Sequence, residues 1–213
     1  MPIKSGPCYP LQMNNIKKAI WSLIKDNTDL DSICSVLVYV AEMDIIHYET
    51  IQEVAGSSTG EILLEMWEWK LLLPVRSSKC GEWDSRIMVI QQGEVFEMPN
   101  ISRALTSNAI ESGKWDTTCA IYHLFQKMGE PDWQKIPALV RELRDCCVHN
   151  VISGTRIGAA CGHHGLKEKT GALIAVLKGA GIISPKLMAM DRNRMRSTSP
   201  LYEFNPCVYG EIQ

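Results

Sequence analysis

The chain of 213 residues contains an internal repeat, and this repeat limits the folds that are open to it. Residues 59–74 read TGEILLEMWEWKLLLP and residues 170–185 read TGALIAVLKGAGIISP, so both segments open with Thr-Gly and end with Pro. Upstream of them, IQEVAG at 51–56 resembles IGAACG at 157–162, and five more residues follow in the second copy. Two copies about 110 residues apart indicate a duplicated domain rather than a solenoid, whose repeats are about 20–50 residues long.

Each copy has the same predicted order of elements, which is a long helix, a short helix, a third helix and two short strands around a loop. The helices are expected at 32–43, at 48–55 and from Thr59 in the first copy, and at 133–149, at 153–161 and from Lys167 in the second. The strands are expected at 72–76, 86–91, 186–190 and 201–205. Gly56 and Gly162 are expected to end the short helices in a left-handed conformation.

Three further helices are predicted outside the repeat, at 14–25, 101–111 and 116–128. The fold class is therefore mainly α with small β-hairpins. The expected segments are a flexible tail at 1–12, an N-terminal unit at 13–92, a helical connector at 93–132, a C-terminal unit at 133–207 and a second tail at 208–213.

The repeated pattern of short helix, glycine turn, amphipathic helix, leucine or isoleucine pair and strand resembles the winged helix-turn-helix family. This resemblance implies tandem winged-helix domains joined by a helical segment. It also implies that the third helix of a unit enters the DNA major groove, while the hairpin wing touches the DNA backbone or the minor groove.

Charge distinguishes the two copies. Residues 30–92 contain ten acidic and four basic residues, whereas residues 133–207 contain five acidic and eleven basic residues. The net charges are therefore −6 and +6, although the whole chain carries only −2. Because phosphate neutralisation dominates DNA affinity, the second copy is the predicted partner of double-stranded DNA. The alternative is that its lysines and arginines only form a solvated face.

The predicted DNA contacts all come from the second copy. Four of these residues lie on the groove-facing helix or at its start, and one lies at the start of the second helix. The other three occupy alternating positions in the wing. These residues are Lys167, Lys169, Thr170 and Lys178, then Arg156, and then Arg192, Arg194 and Arg196.

The first copy requires another role, because Glu61, Glu65 and Glu68 on its third helix would repel phosphate. Met66, Trp67 and Trp69 of the same helix are residue types enriched at protein interfaces, which favours a homodimer or a protein partner. The alternative is that both tryptophans pack against the wing.

Metal binding is a weaker hypothesis. The candidates Cys146, Cys147, His149 and Cys207 lack the paired spacing of zinc sites. Cys161, His163 and His164 lie in the enlarged turn of the second copy and could form a partial metal or redox site. We expect no cofactor, and the eight cysteines are expected to be reduced thiols.

No nucleophile elbow, Walker loop, dinucleotide fingerprint or HExxH motif is present, so the chain is not expected to be an enzyme. It lacks an apolar run of about 20 residues, which predicts a cytoplasmic protein without a membrane partner. The sequence therefore favours a transcriptional regulator. Two alternatives remain open, namely a scaffold of tandem winged helices that does not bind DNA and a metal- or redox-responsive regulator.

Overall fold

The computed structural model describes residues 9–24, 29–75, 82, 83, 86, 88–186 and 199–209. The described chain is mainly helical, with two small antiparallel sheets. No helix in this part of the chain combines the length and the apolar character that crossing a membrane requires.

The helices recur in nearly the places that hydrophobic periodicity indicates. In the first half they are α1 (Tyr9–Trp21), α2 (Leu30–Met43), α3 (Tyr48–Ala55) and α4 (Thr59–Glu68). They continue with α5 (Asn100–Ser112), α6 (Thr117–Lys127), α7 (Ile136–Asp145), α8 (Gly154–His163) and α9 (Thr170–Gly179). The helix predicted at 133–149 is shorter than expected, because the chain turns at Cys146 and then forms a strand.

Each copy forms a three-stranded antiparallel sheet. The first sheet contains β1 (Ile45–His47), β2 (Leu73–Pro74) and β3 (Val95–Glu97), in the spatial order β1-β3-β2. The second contains β4 (Val151–Ser153), β5 (Ile183–Lys186) and β6 (Leu201–Phe204), in the order β4-β6-β5. The last strand of each copy therefore lies between the other two.

The strands of the two sheets are paired in the same register. Glu97 of the first sheet lies opposite Ile45 and Leu73, and Glu203 of the second lies opposite Val151 and Ser184. A shift by one residue would turn every side chain of a strand to the other face, so identical register in both copies supports the duplication that the sequence indicates.

Several predicted strands are in the wrong place. The described residues between 86 and 91 form no strand, and the strand that completes the first sheet is β3. The strand predicted at 186–190 begins earlier, as β5, while β1 and β4 were missed. A unit boundary at residue 92 would cut β3 from its own sheet, so the first unit extends at least to Glu97.

The predicted tails also differ from the structure. α1 begins at Tyr9, inside the segment expected to be a tail. Residues 206–209 form a turn of 3-10 helix in which Cys207 and Val208 are buried.

The five extra residues of the second copy enlarge the connection between its second and third helices. α8 has ten residues and α3 has eight, and residues 164–166 provide the other three. Gly162 therefore lies inside α8, and Gly165 takes the positive φ of 68° that ends the turn. Gly56 also has a positive φ, but its ψ of −125° lies outside the left-handed helical region.

One hydrophobic core runs through both copies. Phe96 of β3, Phe125 of α6 and Phe204 of β6 are fully buried in the same cluster of apolar side chains. α5 packs against α1, α2 and α6, which places it between the copies. The backbone N–H of Ile101 in α5 donates to the carbonyl of Ala180 (2.8 Å), and Ser102 Oγ donates to the carbonyl of Lys70 (2.9 Å). The N-terminus of α5 thus contacts the chain just after α4 and just after α9.

Candidate nucleic-acid interface

The second helix of the basic copy presents a polar face to solvent. Ser153 begins α8, and its hydroxyl accepts a hydrogen bond from the backbone N–H of Arg156 (3.3 Å), as an N-cap residue does. Arg156, Ala159 and His163 follow one another at i, i+3 and i+7, so they share one helical face, and all three are exposed. Arg156 Nη1 donates to the carbonyl of Cys146 (2.7 Å), which fixes the guanidinium at the start of the helix.

Lys167 and Lys169 lie in a short 3-10 turn that leads into α9, and both are exposed. Lys169 forms an ion pair with Asp132, whose carboxylate also lies 3.3 Å from Lys135 Nζ. The hydrogen bond from Lys169 lowers the pKa of Asp132, and the same contact raises the pKa of Lys169. Lys169 therefore stays protonated, but an acidic group of the same chain competes for it.

The Thr170 hydroxyl has a local role. It donates to the carbonyl of Lys167 (2.7 Å), and Thr59 makes the equivalent contact to the carbonyl of Gly56 (2.7 Å) in the first copy. The Thr-Gly pair that opens both repeats thus closes the turn before each third helix, which is a structural reason for its recurrence. The backbone N–H of Thr170 donates to the same carbonyl of Lys167, so a phosphate contact of Thr170 has to share one of these two donors.

The exposed faces of the two third helices differ in size and charge. In α9 this face contains only small residues and one cation, namely Gly171, Ala172, Ala175, Lys178 and Gly179. In α4 the exposed positions are Glu61, Leu64 and Glu68. The repeat aligns Glu61 with Ala172 and Glu68 with Gly179. Two carboxylates of the acidic copy therefore have no counterpart in the basic copy, which also contains more cations.

Within the described ranges, fewer atoms surround the start of α9 than the start of α4. A Cβ at Gly60 in α4 would lie 4.0 Å from two atoms of Ile90, so the chain around Ile90 covers this end of the helix. A Cβ at Gly171, the equivalent position in α9, would meet nothing within 4 Å among the described residues.

Lys178 is separated from the other lysines. It lies in the last turn of α9, about 12 Å along the helix axis from Thr170 at 1.5 Å per residue. There it lines a cleft of about 390 Å³ between the copies, together with Asp44 and Arg103, which pair with each other. The structure thus places Lys167 and Lys169 in one turn and Lys178 at the other end of the same helix.

The predicted wing residues Arg192, Arg194 and Arg196 lie outside the described residues. The two ends of their segment are placed, because Lys186 of β5 lies opposite Leu201 of β6. Ser199 Oγ accepts a hydrogen bond from the backbone N–H of Thr155 (3.0 Å), so the segment returns beside the start of α8.

The histidines of the enlarged turn bind a carboxylate. Glu142 of α7 lies between them, 2.7 Å from His163 Nδ1 and 3.0 Å from His164 Nε2. The hydrogen bond from His163, supported by the one from His164, lowers the pKa of Glu142. This arrangement ties the turn between α8 and α9 to the helix beneath it.

The cysteines of the metal hypothesis do not join this group. Cys161 is buried, and burial raises the pKa of its thiol. Burial also raises the pKa of Cys147 to about 11 and that of Cys207 to about 12, and Cys207 Sγ lies 3.5 Å from Ser102 Oγ. Within the described ranges, no three His, Cys, Asp or Glu side chains form a group that could hold a metal ion.

The aromatic surface expected on α4 is largely absent. Met66 is fully buried, and Trp67 and Trp69 are half-buried. Trp69 Nε1 donates to Glu65 Oε1 (3.0 Å), one helical turn earlier. Leu64 is the apolar side chain that α4 leaves exposed.

Two acidic residues that shape this surface were missed in the sequence. Asp132 and Glu142 lie 37 and 21 residues from Lys169 and His163, their respective partners. No local motif marks such pairs.

No curated protein and no solved structure matches the chain. A protein-family model matches residues 15–212, a range that includes both copies of the repeat and all of the helices from α2 onward. The chain belongs to the family that this model describes.

Proposed function

We propose that the protein is a DNA-binding transcriptional regulator built from two winged-helix units, and that its C-terminal unit binds double-stranded DNA. Each unit has the order helix, strand, helix, helix, strand, strand, with the last strand in the middle of its sheet. This order supports the resemblance to winged-helix proteins, in which the third helix and the hairpin form the DNA-binding surface.

The observation that carries the proposal is the contrast between the two third helices. α9 buries Leu173 and Leu177 and exposes a face of glycine, alanine and Lys178. A face without bulky or acidic side chains allows a helix to come close to base edges in a groove about 12 Å wide. The acidic face of α4 would repel phosphate.

In this proposal the DNA contacts divide into four sets around α9. Lys167, Lys169 and Thr170 contact phosphates at its N-terminal end, where the helix dipole also favours anions. Lys178 contacts the duplex at the other end, and Arg156 contacts the flanking phosphate. Arg192, Arg194 and Arg196 contact the DNA backbone from the wing.

The N-terminal unit takes part in assembly or regulation rather than in DNA binding. Its exposed apolar side chains near the third helix, Leu64 and Ile90, are 46% and 39% exposed, and they lie among acidic residues. This surface fits a protein partner or a second copy of the chain. The proposed activity is binding, and no catalytic role is included.

A salt titration tests the DNA contacts. Binding of a random duplex is measured by fluorescence anisotropy between about 50 and 200 mM salt, where each phosphate contact contributes about −0.9 to the slope of log K against log salt. The variant Lys167→Gln/Lys169→Gln should bind more weakly and flatten the slope by up to about two. Arg192→Ala/Arg194→Ala/Arg196→Ala should flatten it by up to about three. Lys127→Gln, an exposed lysine on α6, is the matched control.

A gain of affinity tests the role of Lys169 from the opposite direction. Asp132→Asn removes the carboxylate that competes for Lys169, so we expect tighter DNA binding than in the wild type. Glu53→Gln makes the same change of charge on α3 and serves as the control. If both variants raise the affinity equally, or if the lysine pair leaves the salt slope unchanged, then Lys169 does not contact DNA.

The rival function is a scaffold that binds proteins through tandem winged helices. A gel shift with random duplex at low salt distinguishes the two functions. A DNA-binding regulator binds non-specific DNA with a Kd of about 1–100 μM at physiological salt, and it binds more tightly at low salt. Absence of binding there would overturn the proposal and favour the scaffold.

A further inference from the structure

A second cationic site lies away from the proposed DNA contacts. An open cavity of about 550 Å³ is bordered by the last turn of α1, the connection between α5 and α6, and the end of α7. Lys18, Lys114 and Arg144 line it, one from each of these three elements. This volume is within the range of about 300–1,000 Å³ that is typical of small-molecule sites.

The two lysines of this cavity are not balanced by an acidic side chain. Asp116 is the only acidic residue among its described lining residues. Within the part of the chain that the structure describes, neither Lys18 nor Lys114 has an acidic partner within 4 Å. Arg144 donates from Nε and Nη2 to Asp145 Oδ1 (both 3.1 Å) and from Nη1 to the carbonyl of Tyr209 (3.1 Å). Because Asp145 compensates the charge of Arg144, Lys18 and Lys114 are the two cations that remain available to a ligand.

The walls of the cavity are fixed by packing. Trp115 is buried, and its Nε1 donates to the carbonyl of Cys207 (2.8 Å). Gly113 has a φ of 70° at the end of α5, where a Cβ would lie 3.3 Å from Asn15 Oδ1. The backbone of Lys114 thus lies between two positions that are fixed by packing, while its side chain is exposed.

The start of α6 also lies at this cavity, but its N-terminal dipole is already compensated by an acidic side chain. Asp116 is the N-cap residue and accepts from the backbone N–H of Cys119 (2.9 Å). The hydroxyl-bearing Ser22 and Thr117 also line the cavity, and Ser22 Oγ donates to the carbonyl of Ala19 (2.7 Å). The attraction for an anion therefore comes from the two lysines.

We propose that this cavity binds a compact metabolite with two or more negative charges. Two sources share this chemistry, namely a phosphate ester and a polycarboxylic acid. Lys18 and Lys114 lie at one concave site on two different elements, which suits a small ligand better than the convex backbone of a duplex. The site shares no residue with the proposed DNA contacts, so this proposal does not depend on that function.

Isothermal titration calorimetry of the full chain tests the site, with inorganic phosphate and citrate as probes at constant ionic strength. We expect at least one probe to bind the wild type. In Lys18→Gln and Lys114→Gln its Kd should rise about tenfold or more, because each variant removes a charged hydrogen-bond donor. In Lys127→Gln, which makes the same change of charge outside the cavity, the Kd should not change. Far-UV circular dichroism confirms that each variant is folded.

Each outcome has a defined consequence. Binding of phosphate alone supports the phosphate-ester source, binding of citrate alone supports the polycarboxylate source, and binding of both supports recognition by charge. The proposal is overturned if neither probe binds, or if Lys127→Gln weakens binding as much as the cavity variants do. It is also overturned if Lys18→Gln and Lys114→Gln weaken DNA binding while leaving probe affinity unchanged, because the cavity would then be a DNA contact.

Discussion

At the scale of single residues, the two copies use different amino acids for the same backbone conformation. Lys70 follows α4 with a φ of 52°, and Gly181 occupies the equivalent position after α9 with a φ of 75°. A Cβ at Gly181 would lie 2.7 Å from Pro99 Cβ, so this position has no room for a side chain. In the first copy the side chain is accommodated, and Lys70 Nζ lies 4.1 Å from the centre of the Trp67 ring.

Gly181→Ala should therefore destabilise the protein. The substitution adds a steric clash to an unfavourable φ, and such backbone strain costs about 1–3 kcal/mol of the free energy of unfolding. Urea denaturation measures the loss. Gly162→Ala is the control, because this glycine lies exposed within α8 with nothing near its Cβ position, and alanine there should stabilise by about 0.5–1 kcal/mol. Equal stability of the Gly181 variant and the wild type would contradict the assigned clash.

At the scale of elements, the turn between α8 and α9 depends on the helix below it. Glu142 of α7 accepts hydrogen bonds from His163 and His164, and Leu166 is buried beneath the same turn. This contact positions Lys167 and Lys169 relative to α7, which is a requirement for phosphate contacts at defined places. The first copy lacks the five inserted residues and makes this connection through a single 3-10 turn.

The pKa of Glu142 predicts how stability responds to acid. This pKa lies below its ordinary value of 4.5, so the ionised carboxylate stabilises the folded state above about pH 4.5, and this contribution disappears as the pH falls through the lowered value. Glu142→Gln should thus be less stable than the wild type at about pH 6, and the difference should shrink on acidification below about pH 4.5. Urea denaturation over this pH range measures it. Glu168→Gln, on the same turn, is the matched control, and a gap for Glu142→Gln that is independent of pH would refute the role of its ionised form.

At the scale of the whole molecule, buried cations of the first copy reach the middle strand of each sheet. Arg86 Nη1 lies 2.7 Å from Glu97 Oε1 in β3, and Lys70 Nζ lies 3.8 Å from Glu203 Oε1 in β6. The second pair connects the two copies. Trp83 and Ser184 add a further connection, because the Trp83 backbone N–H donates to Ser184 Oγ (3.1 Å). Together with α5, these contacts join the copies into one body.

Glu203→Gln should weaken this connection, because it leaves the buried Lys70 ammonium without that carboxylate. The expected loss is about 2–3 kcal/mol in the free energy of unfolding. Lys70→Met/Glu203→Gln should lose less than the sum of the two single variants, because neither charge then remains. Glu53→Gln, an exposed glutamate on α3, is the control. Additive losses in the double-mutant cycle would show that the two residues are not coupled.

The repeat and most of the helices can be predicted from the amino-acid sequence alone. The segments 59–74 and 170–185, which begin with Thr-Gly and end with Pro, contain α4 and α9 and all or most of the strand that follows each. Apolar periodicity predicts the ends of α3 to within one residue. These features are local, because a helix buries one face through residues that are three or four apart in the chain. The opposite charges of the copies, on which the proposed role of α9 rests, are likewise visible in composition alone.

Some short strands and the long-range ion pairs form through tertiary contacts and could not be predicted from the sequence. β1 and β4 have three residues each, too few to show a period of two, and each becomes a strand because the last strand of its copy pairs with it. Three acidic residues of these ion pairs each have a partner at least 21 residues away in the sequence; the three are Asp132, Glu142 and Glu203. The cavity around Lys114 depends in the same way on three separate elements. Contacts of this kind arise when distant elements pack together, so a pattern of neighbouring residues in the sequence does not predict them.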